Sequence, residues 1–377
     1  MVHFIWTLLL ISCFAASSFA RDVKVSIEND VKLRFDSTGK YTDNNGSTND
    51  SSLNDSKFML ELYPKLDFDL GEGLNVKSSW VFELLKSRVA SSDFQGEGLA
   101  LDELYISFEN YDAEFFLGKF NPAFAYLWDY ELNGGLWTSD LAEIYQITGK
   151  IGVGGKIKMN LGGHGRHDIA IATFYYDDSN LSDTLLTRRT VSNNNIGVAS
   201  DTGSLSSFSI NIFAEELDFF DGAFYNASYR FLKNPDALEI GAEQGYSIAL
   251  GVKKSMLNNL VIKPMVEYVQ IDAFNSFNND FNQEFGSEAY LPSDLESILL
   301  AFGIEYGGWS FHYMFSSKEY SKLLESGKIQ VKDVGFSVNY TFANSVVLKV
   351  GSRESERDDT NMSKTITSLQ VLYKYKF

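Results

Sequence analysis

The chain has 377 residues, a formal net charge of -18, 15% aromatic residues and a mean hydropathy of -0.14. The acidic excess excludes nucleic acid as a partner, because neutralising phosphates requires a basic surface. Cys13 is the only cysteine, so neither a disulfide nor a zinc–thiolate site is expected in the rest of the chain.

The N-terminus is typical of an exported protein. A mostly apolar run from Phe4 to Phe19 is followed by Ala20, and small residues stand at the two positions that a signal peptidase inspects. We expect cleavage after Ala20, which divides the chain into a signal peptide, 1–20, and one domain, 21–377. A second interpretation is that residues 10–13 form a lipoprotein cleavage box, with Cys13 as the acylated residue.

The domain alternates apolar and polar side chains instead of forming long apolar runs. No stretch reaches the roughly 18 consecutive apolar residues of a transmembrane helix, so a membrane crossing would have to use β-strands. Composition alone also allows a soluble β-protein. Sixteen segments alternate in this way, at residues 22–36, 57–70, 75–88, 101–109, 113–119, 144–160, 167–176, 205–215, 223–232, 245–254, 260–271, 296–306, 309–317, 328–342, 345–353 and 365–377.

The connections between these segments are in turn long and short. The short ones, several with the Gly and Asn that tight hairpins need, are 71–73, 110–112, 162–164, 218–222, 257–259, 307–308 and 343–344. The long ones are 38–56, 89–100, 120–143, 177–204, 234–244, 274–295, 319–327 and 354–363. This alternation with an even strand count predicts an all-β fold: a transmembrane antiparallel β-barrel of about 16 strands, with short periplasmic turns and long external loops.

Side-chain parity assigns the two faces of each strand. In 57–70, Leu60 and Leu62 share one face, whereas Glu61 and Lys65 share the other. The charged face indicates a wet lumen and the apolar face indicates lipid. Aromatic residues near strand ends are interpreted as an interfacial belt.

The apolar residues of the segment 328–342 change parity along its length. Val331 has an odd number, whereas Val334 and Phe336 have even ones. This change predicts a β-bulge near Lys332 or Asp333.

The C-terminal segment alternates up to an aromatic last residue, with Tyr373, Tyr375 and Phe377 on one face. It resembles the last strand of Gram-negative outer-membrane porins, which the barrel assembly machinery reads as an insertion signal. The resemblance implies that these three residues form the assembly signal.

A second likeness lies in the first half. Residues 102–105, Asp-Glu-Leu-Tyr, precede a strand that closes in residues 117–119, Leu-Gly-Lys, and the pair is similar to one in sixteen-stranded porins. Residues 119–122 are similar to substrate-selective porins. The resemblance implies a homotrimer in contact with outer-membrane lipid and lipopolysaccharide, with the third external loop, 120–143, folded into the barrel.

That loop and the inner wall provide candidate pore residues. The loop carries the acids Asp129, Glu131, Asp140 and Glu143, and the wall carries the bases Arg34, Lys65, Lys119, Lys150, Arg230, Lys263 and Lys349. Opposed acids and bases would set up a transverse field at a constriction; alternatively, the loop carboxylates are simply solvated. Trp128 and Trp137 line the pore or, as we favour, pin the loop to the barrel.

These features predict a porin: a passive channel for small hydrophilic solutes and ions, with mild cation selectivity, no cofactor, no metal and no catalytic residues. The alternatives are a channel selective for an anion, sugar or metal chelate, and a non-channel adhesin or hydrolase. His164, His167 and His312 have no evident serine partner for a catalytic triad. The oxygen-rich stretch 43–55 does not have EF-hand spacing.

Overall fold

The computed structural model describes residues 23–42, 56–84, 97–127, 135–179, 181, 200, 202–218, 220–234, 241–256, 259–274, 293–322, 327–358 and 362–376. Its sixteen strands are β1 Lys24–Thr42, β2 Ser56–Asp69, β3 Leu74–Leu84, β4 Glu97–Asn110, β5 Ala113–Phe120, β6 Lys150–Asn160, β7 Arg166–Tyr176, β8 Ser207–Glu215, β9 Ala223–Leu232, β10 Glu243–Val252, β11 Leu260–Phe274, β12 Ser293–Tyr306, β13 Trp309–Lys322, β14 Lys328–Thr341, β15 Val346–Arg357 and β16 Met362–Lys376. The two-residue strand Lys254–Ser255 extends β10 along β11. A short helix, α1, spans Thr138–Ala142, and 3-10 turns span Glu143–Tyr145 and Gly162–His164.

Each strand pairs antiparallel with its neighbours in the chain, and the sheet closes on itself. β1 pairs with β16, for example at Val31 and Tyr373. Closure gives each of the sixteen described strands a partner on both sides. The predicted antiparallel barrel of sixteen strands is therefore confirmed. No helix among the described residues is long and apolar enough to cross a membrane.

The two faces of the wall separate as parity predicts. On β13, Phe311 and Tyr313 are about half exposed on the outer face, whereas His312 and Ser316 are buried on the inner face. Trp309 contacts Tyr340 near the short turns, with ring centroids 4.8 Å apart. The outer face is thus apolar with aromatic residues near the strand ends, as lipid contact requires.

The predicted bulge near Lys332 is wrong. β14 pairs without a register shift with both neighbours, including Ser317 with Lys332. Val331 faces inward because it belongs to an apolar core inside the barrel. The parity argument assumed that the whole inner wall contacts water, but part of it is covered by this apolar core. β6 also begins at Lys150 rather than at 144, because residues 138–145 are helical.

The inner core lies between the wall and the connection that joins β5 to β6. Strands β11 and β12 contribute inward side chains such as Val269, Ile271, Leu295 and Leu299, all at most 1% exposed. The connection contributes Phe124, Tyr126 and buried apolar residues from the part of the chain that leads back to β6. One part of the inner wall is therefore sealed by packed side chains.

We expect the long connections to be external. Tags inserted within 43–55, 179–195 or 275–283, which fall largely outside the described residues, should be accessible to antibody on intact cells. Tags at Gly71 or Gly307, in short turns with positive φ, should react only after permeabilisation. Surface labelling at these two glycines would mean that the barrel has the opposite orientation.

Candidate functional site

The connection between β5 and β6 folds into the barrel, and we call it the inserted loop. Its first limb, 120–127, and its return limb, 135–149, are described. Phe124, Ala125 and Tyr126 in the first limb and Trp137 and Leu141 in the return limb are at most 2% exposed. The loop is therefore packed against the wall at the points that the structure describes.

The root of the loop is fixed by the Asp-Glu motif of β4. The Asn121 side-chain amide donates to Asp102 at 3.0 Å through its NH2 group and accepts from Gly149 N–H at 2.7 Å through its Oδ1, and the Asn121 backbone N–H donates to Glu103 at 3.1 Å. Asn121 thereby ties the first limb to the end of the return limb. Gly118, at φ +143°, approaches the Leu104 carbonyl so closely that an added Cβ would lie 2.4 Å from that oxygen.

A β-bulge gives Asp102 and Glu103 the same orientation. The register between β3 and β4 pairs Ser79 with Glu103 but Trp80 with Leu101, which leaves Asp102 as the extra residue. The Ser79 hydroxyl lies 3.3 Å from an Asp102 oxygen and 3.4 Å from a Glu103 oxygen. Two consecutive carboxylates thus face the lumen, where regular alternation would allow only one.

The wall formed by β9 and β11 holds the middle of the loop. Ser228 accepts a hydrogen bond from Ala125 N–H at 3.1 Å, and Glu267 accepts one from Tyr126 N–H. Glu267 also accepts the Tyr145 hydroxyl proton at 2.9 Å, and Arg230 donates to the Tyr145 carbonyl at 2.6 Å. Burial, with Glu267 nearby, raises the pKa of the Tyr145 hydroxyl well above its ordinary value, so this phenol remains a donor.

The far end of the loop is latched to β1 and β15. Two guanidinium groups contact the Trp137 ring, with Arg34 4.5 Å and Arg353 5.1 Å from the ring centroid. Asp140 forms an ion pair with Arg34 at 3.1 Å. Burial raises the pKa of the Asp140 carboxyl, but the charges of Arg34 and Arg353 outweigh this effect, so that the pKa lies below its ordinary value.

Inward glycines on β14 and β15 make room for this latch. A Cβ at Gly335 would lie 3.2 Å from Trp137, and a Cβ at Gly351 would lie 3.2 Å from Leu136. Leu136 also donates its N–H to Ser337 at 3.3 Å. The wall is therefore shaped to receive these two loop side chains, which agrees with the interpretation of Trp137 as a peg.

A cavity of about 860 Å³ lies beside the loop, next to the turn between β8 and β9. Tyr126 stacks on Phe213 and Phe224 at its margin, with centroid distances of 5.7 and 4.8 Å. Charged side chains of both signs, including Lys156, Asp168 and Lys263, line it. The space is polar enough to hold water, as a vestibule for hydrophilic solutes would.

The structure brings only part of the predicted constellation together. Arg34 meets Asp140, and Arg230 meets the return limb while pairing with Glu243 at 2.5 Å. Lys65 is exposed in the lumen. Lys263 pairs with Glu305, and Lys150 and Lys349 are buried on other strands.

Lys119 lies apart from this group. Its register partner is Leu104 of the outer face, and its ammonium pairs with Asp177 at 3.0 Å. Asp129, Glu131, Trp128, the Glu143 side chain and Phe377 fall outside the described residues. Tyr373 and Tyr375 lie on β16 with ring centroids 5.8 Å apart.

Sequence reasoning missed Asp102 and the loop contacts of Glu267. The inward orientation of Asp102 was missed because nothing in the local sequence pattern indicates the bulge at that position. The anchoring role of Glu267 had a signal: the neighbouring strand β12 contains Ile298 to Phe302, which is apolar on both faces. A strand that is apolar on both faces needs cover inside the barrel as well as lipid outside.

No protein-family model and no curated protein sequence matches the chain. Solved structures do. The outer membrane channel DcaP of Acinetobacter baumannii is 13% identical, with a TM-score of 0.56 over 95% of this chain and 99% of that one. An anion-selective porin from Comamonas acidovorans is 12% identical, with a TM-score of 0.54 over 94% and 100%. The trimer form of OmpT from Vibrio cholerae is 8% identical, with a TM-score of 0.50 over 94% and 100%.

These likenesses, at low identity, concern the fold. The chain has the fold of the Gram-negative outer-membrane porins, a closed barrel of sixteen antiparallel strands.

Proposed function

We propose that the protein is a porin that lets small hydrophilic solutes and ions diffuse passively across the outer membrane. The observation that carries this proposal is the reversed polarity of the barrel, with an apolar outer face and ionised side chains inside. A barrel of this strand number leaves an aqueous channel, and the inserted loop narrows it. Permeation needs no turnover, cofactor or metal.

The passage runs along the part of the wall that the inserted loop leaves uncovered. Lys65 and the carboxylates of β2 lie there, and the carboxylates of β4 lie at its edge beside the loop root, whereas the loop packs on the apolar interior of β11 and β12. Asp140 and Arg34 neutralise each other in direct contact, so they contribute little field to the lumen. We therefore propose that mild cation selectivity comes chiefly from wall carboxylates, together with any of Asp129, Glu131 and Glu143 that face the pore.

Assembly and location follow the same proposal. Residues 1–20 act as a cleaved signal peptide, and Tyr373, Tyr375 and Phe377 present the C-terminal strand to the barrel assembly machinery. The mature barrel sits among outer-membrane lipid and lipopolysaccharide. A homotrimer is supported by the trimer form of OmpT, which shares the fold.

Planar-bilayer recording tests the channel. Purified mature protein should insert in steps of uniform ohmic conductance, which rises with salt concentration because the path is filled with water. Liposome swelling should admit small sugars and exclude large ones. An adhesin or a hydrolase would give no steps, and a solute-selective channel would give steps that one solute class blocks at low concentration.

A further inference from the structure

We propose that Glu267 is a positioning residue that holds both limbs of the inserted loop and thereby sets the width of the passage. The inference rests on the proposed channel function. In this inference, the position of the loop depends on one side chain in the middle of the wall. That side chain is distant in sequence from both limbs.

A single carboxylate spans the two limbs. Glu267 lies on β11 and is 1% exposed. Its Oε1 accepts the N–H of Tyr126 in the first limb, and its Oε2 accepts the hydroxyl of Tyr145 in the return limb. The separation of the limbs is thus fixed by the distance between two oxygens of one group.

The surroundings of Glu267 make its charge costly. Its register partners are Ala249 and Leu299, which are at most 1% exposed, and no cation forms an ion pair with it among the described residues. A buried carboxylate without a cation is tolerated only when strong donors satisfy it. Charged acceptors make hydrogen bonds about twice as strong as neutral ones do, and a carboxylate accepts from two donors at once.

The backbone at the anchor is strained. Ala125, immediately before Tyr126, has φ +65°, a conformation that residues with a Cβ rarely adopt. Such a residue persists where its neighbours fix the backbone. The flanking hydrogen bonds to Ser228 and Glu267 are the ones that fix it here.

Loss of the carboxylate should free the middle of the loop but leave both ends attached. The root at Asn121 and the latch at Arg34 do not involve Glu267. The loop then moves between its two fixed ends, and the passage becomes wider and fluctuates. The strands keep their pairing, so the barrel itself remains assembled.

The experiment uses A125C in the mature protein, 21–377, where its thiol is the only one once the signal peptide that carries Cys13 has been removed. Ala125 is fully buried, and a polar maleimide should label A125C slowly. In A125C/E267A, labelling should be roughly tenfold faster or more, since a hydrogen bond to a charged group is lost from each limb. E267Q, whose amide keeps one acceptor oxygen, should fall between the two.

The matched control is E305A. Glu305 is also a carboxylate on the inner wall, but it pairs with Lys263 and forms no described contact with the loop. In bilayers, E267A should raise the mean conductance and the current noise, and E305A should leave the noise unchanged. Locking the limb with an A125C/S228C disulfide in E267A should restore quiet currents, and reductant should remove this rescue.

Equal labelling of A125C with and without Glu267 would overturn the inference, as would equal noise in E267A and E305A. Thiol labelling does not depend on conductance. If the wild-type protein gives no current steps, the channel proposal fails while labelling still reports on the anchor. If the steps are present and Glu267 has no effect, only the anchor is wrong.

Discussion

Replacing the two wall carboxylates by amides, in D102N/E103Q, is expected to reduce the cation-to-anion permeability ratio roughly threefold to tenfold at low salt. Two unit charges a few ångströms from a passing ion in water contribute on the order of 1 kcal/mol each at closest approach. Both carboxylates face the lumen at the loop root, and neither forms an ion pair among the described residues. The measurement is the reversal potential in a salt gradient.

The shift should shrink as salt rises, because the screening length falls below about 8 Å above physiological ionic strength. E354Q/E356Q is the matched control: it removes the same charge from exposed positions on β15 and should leave the reversal potential unchanged. Restoring one charge with a negatively charged thiol reagent on E103C should recover part of the selectivity. The comparison variant is D129N/E131Q/D140N/E143Q. If this loop variant shifts the potential more, the selectivity resides in the loop instead of the wall.

Removing the latch arginine, in R34A, is expected to detach the far end of the inserted loop. The change deletes the ion pair with Asp140 and one of the two cations on Trp137. A charge-assisted hydrogen bond of this kind contributes about 2 kcal/mol, which raises the population of undocked loop by about thirtyfold. Single-channel recordings should show frequent transitions to a larger conductance.

Two further variants separate charge from shape. R34K keeps the charge but loses the planar group that stacks on Trp137 and donates two hydrogen bonds to one Asp140 oxygen, so it should rescue only in part. R166A removes an arginine that pairs with Glu215 and forms no described contact with the loop, so it should give quiet currents. Quiet currents in R34A as well would mean that Asp140 and Trp137 do not hold the loop.

The latch also has a defined dependence on pH. The pKa of Asp140 is depressed when the loop is docked, so its contribution is complete above the ordinary carboxyl pKa of about 3.9. It is lost as the pH falls through the lower, docked value. In E267Q, whose anchor does not titrate, the current noise should therefore stay constant in mild acid and rise only below about pH 4.

Much of the barrel could be predicted from the sequence, because the period of two and the alternation of connections are local patterns. The same reasoning failed where the orientation of a side chain depends on a segment that is distant in sequence. Val331 faces inward as a member of the apolar core that also includes the inserted loop, and no local feature of β14 indicates that core. Asp102 faces inward because β4 has one residue more than β3 at that point, which is a property of the pair of strands.

The candidate site was predictable in part for the same reason. The charges of the wall follow from parity, but which of them meet the loop depends on its path. Arg34 meets Asp140, whereas Lys119 pairs with Asp177 in another connection. The anchor at Glu267 joins residues more than 120 positions apart in sequence, and only the folded loop brings them together.

With the proposed outer-membrane location, the apolar core inside the barrel means that the chain folds in two solvents, lipid outside and water inside. The outer side chains gain nothing from meeting one another, because lipid is as apolar as they are. The inner side chains leave lumen water when the loop docks, so their association has the entropic driving force of a soluble protein. Loop docking should accordingly weaken on cooling and in urea, while the hydrogen-bonded wall persists. The width of the passage therefore depends on the hydrophobic effect of the water in the lumen.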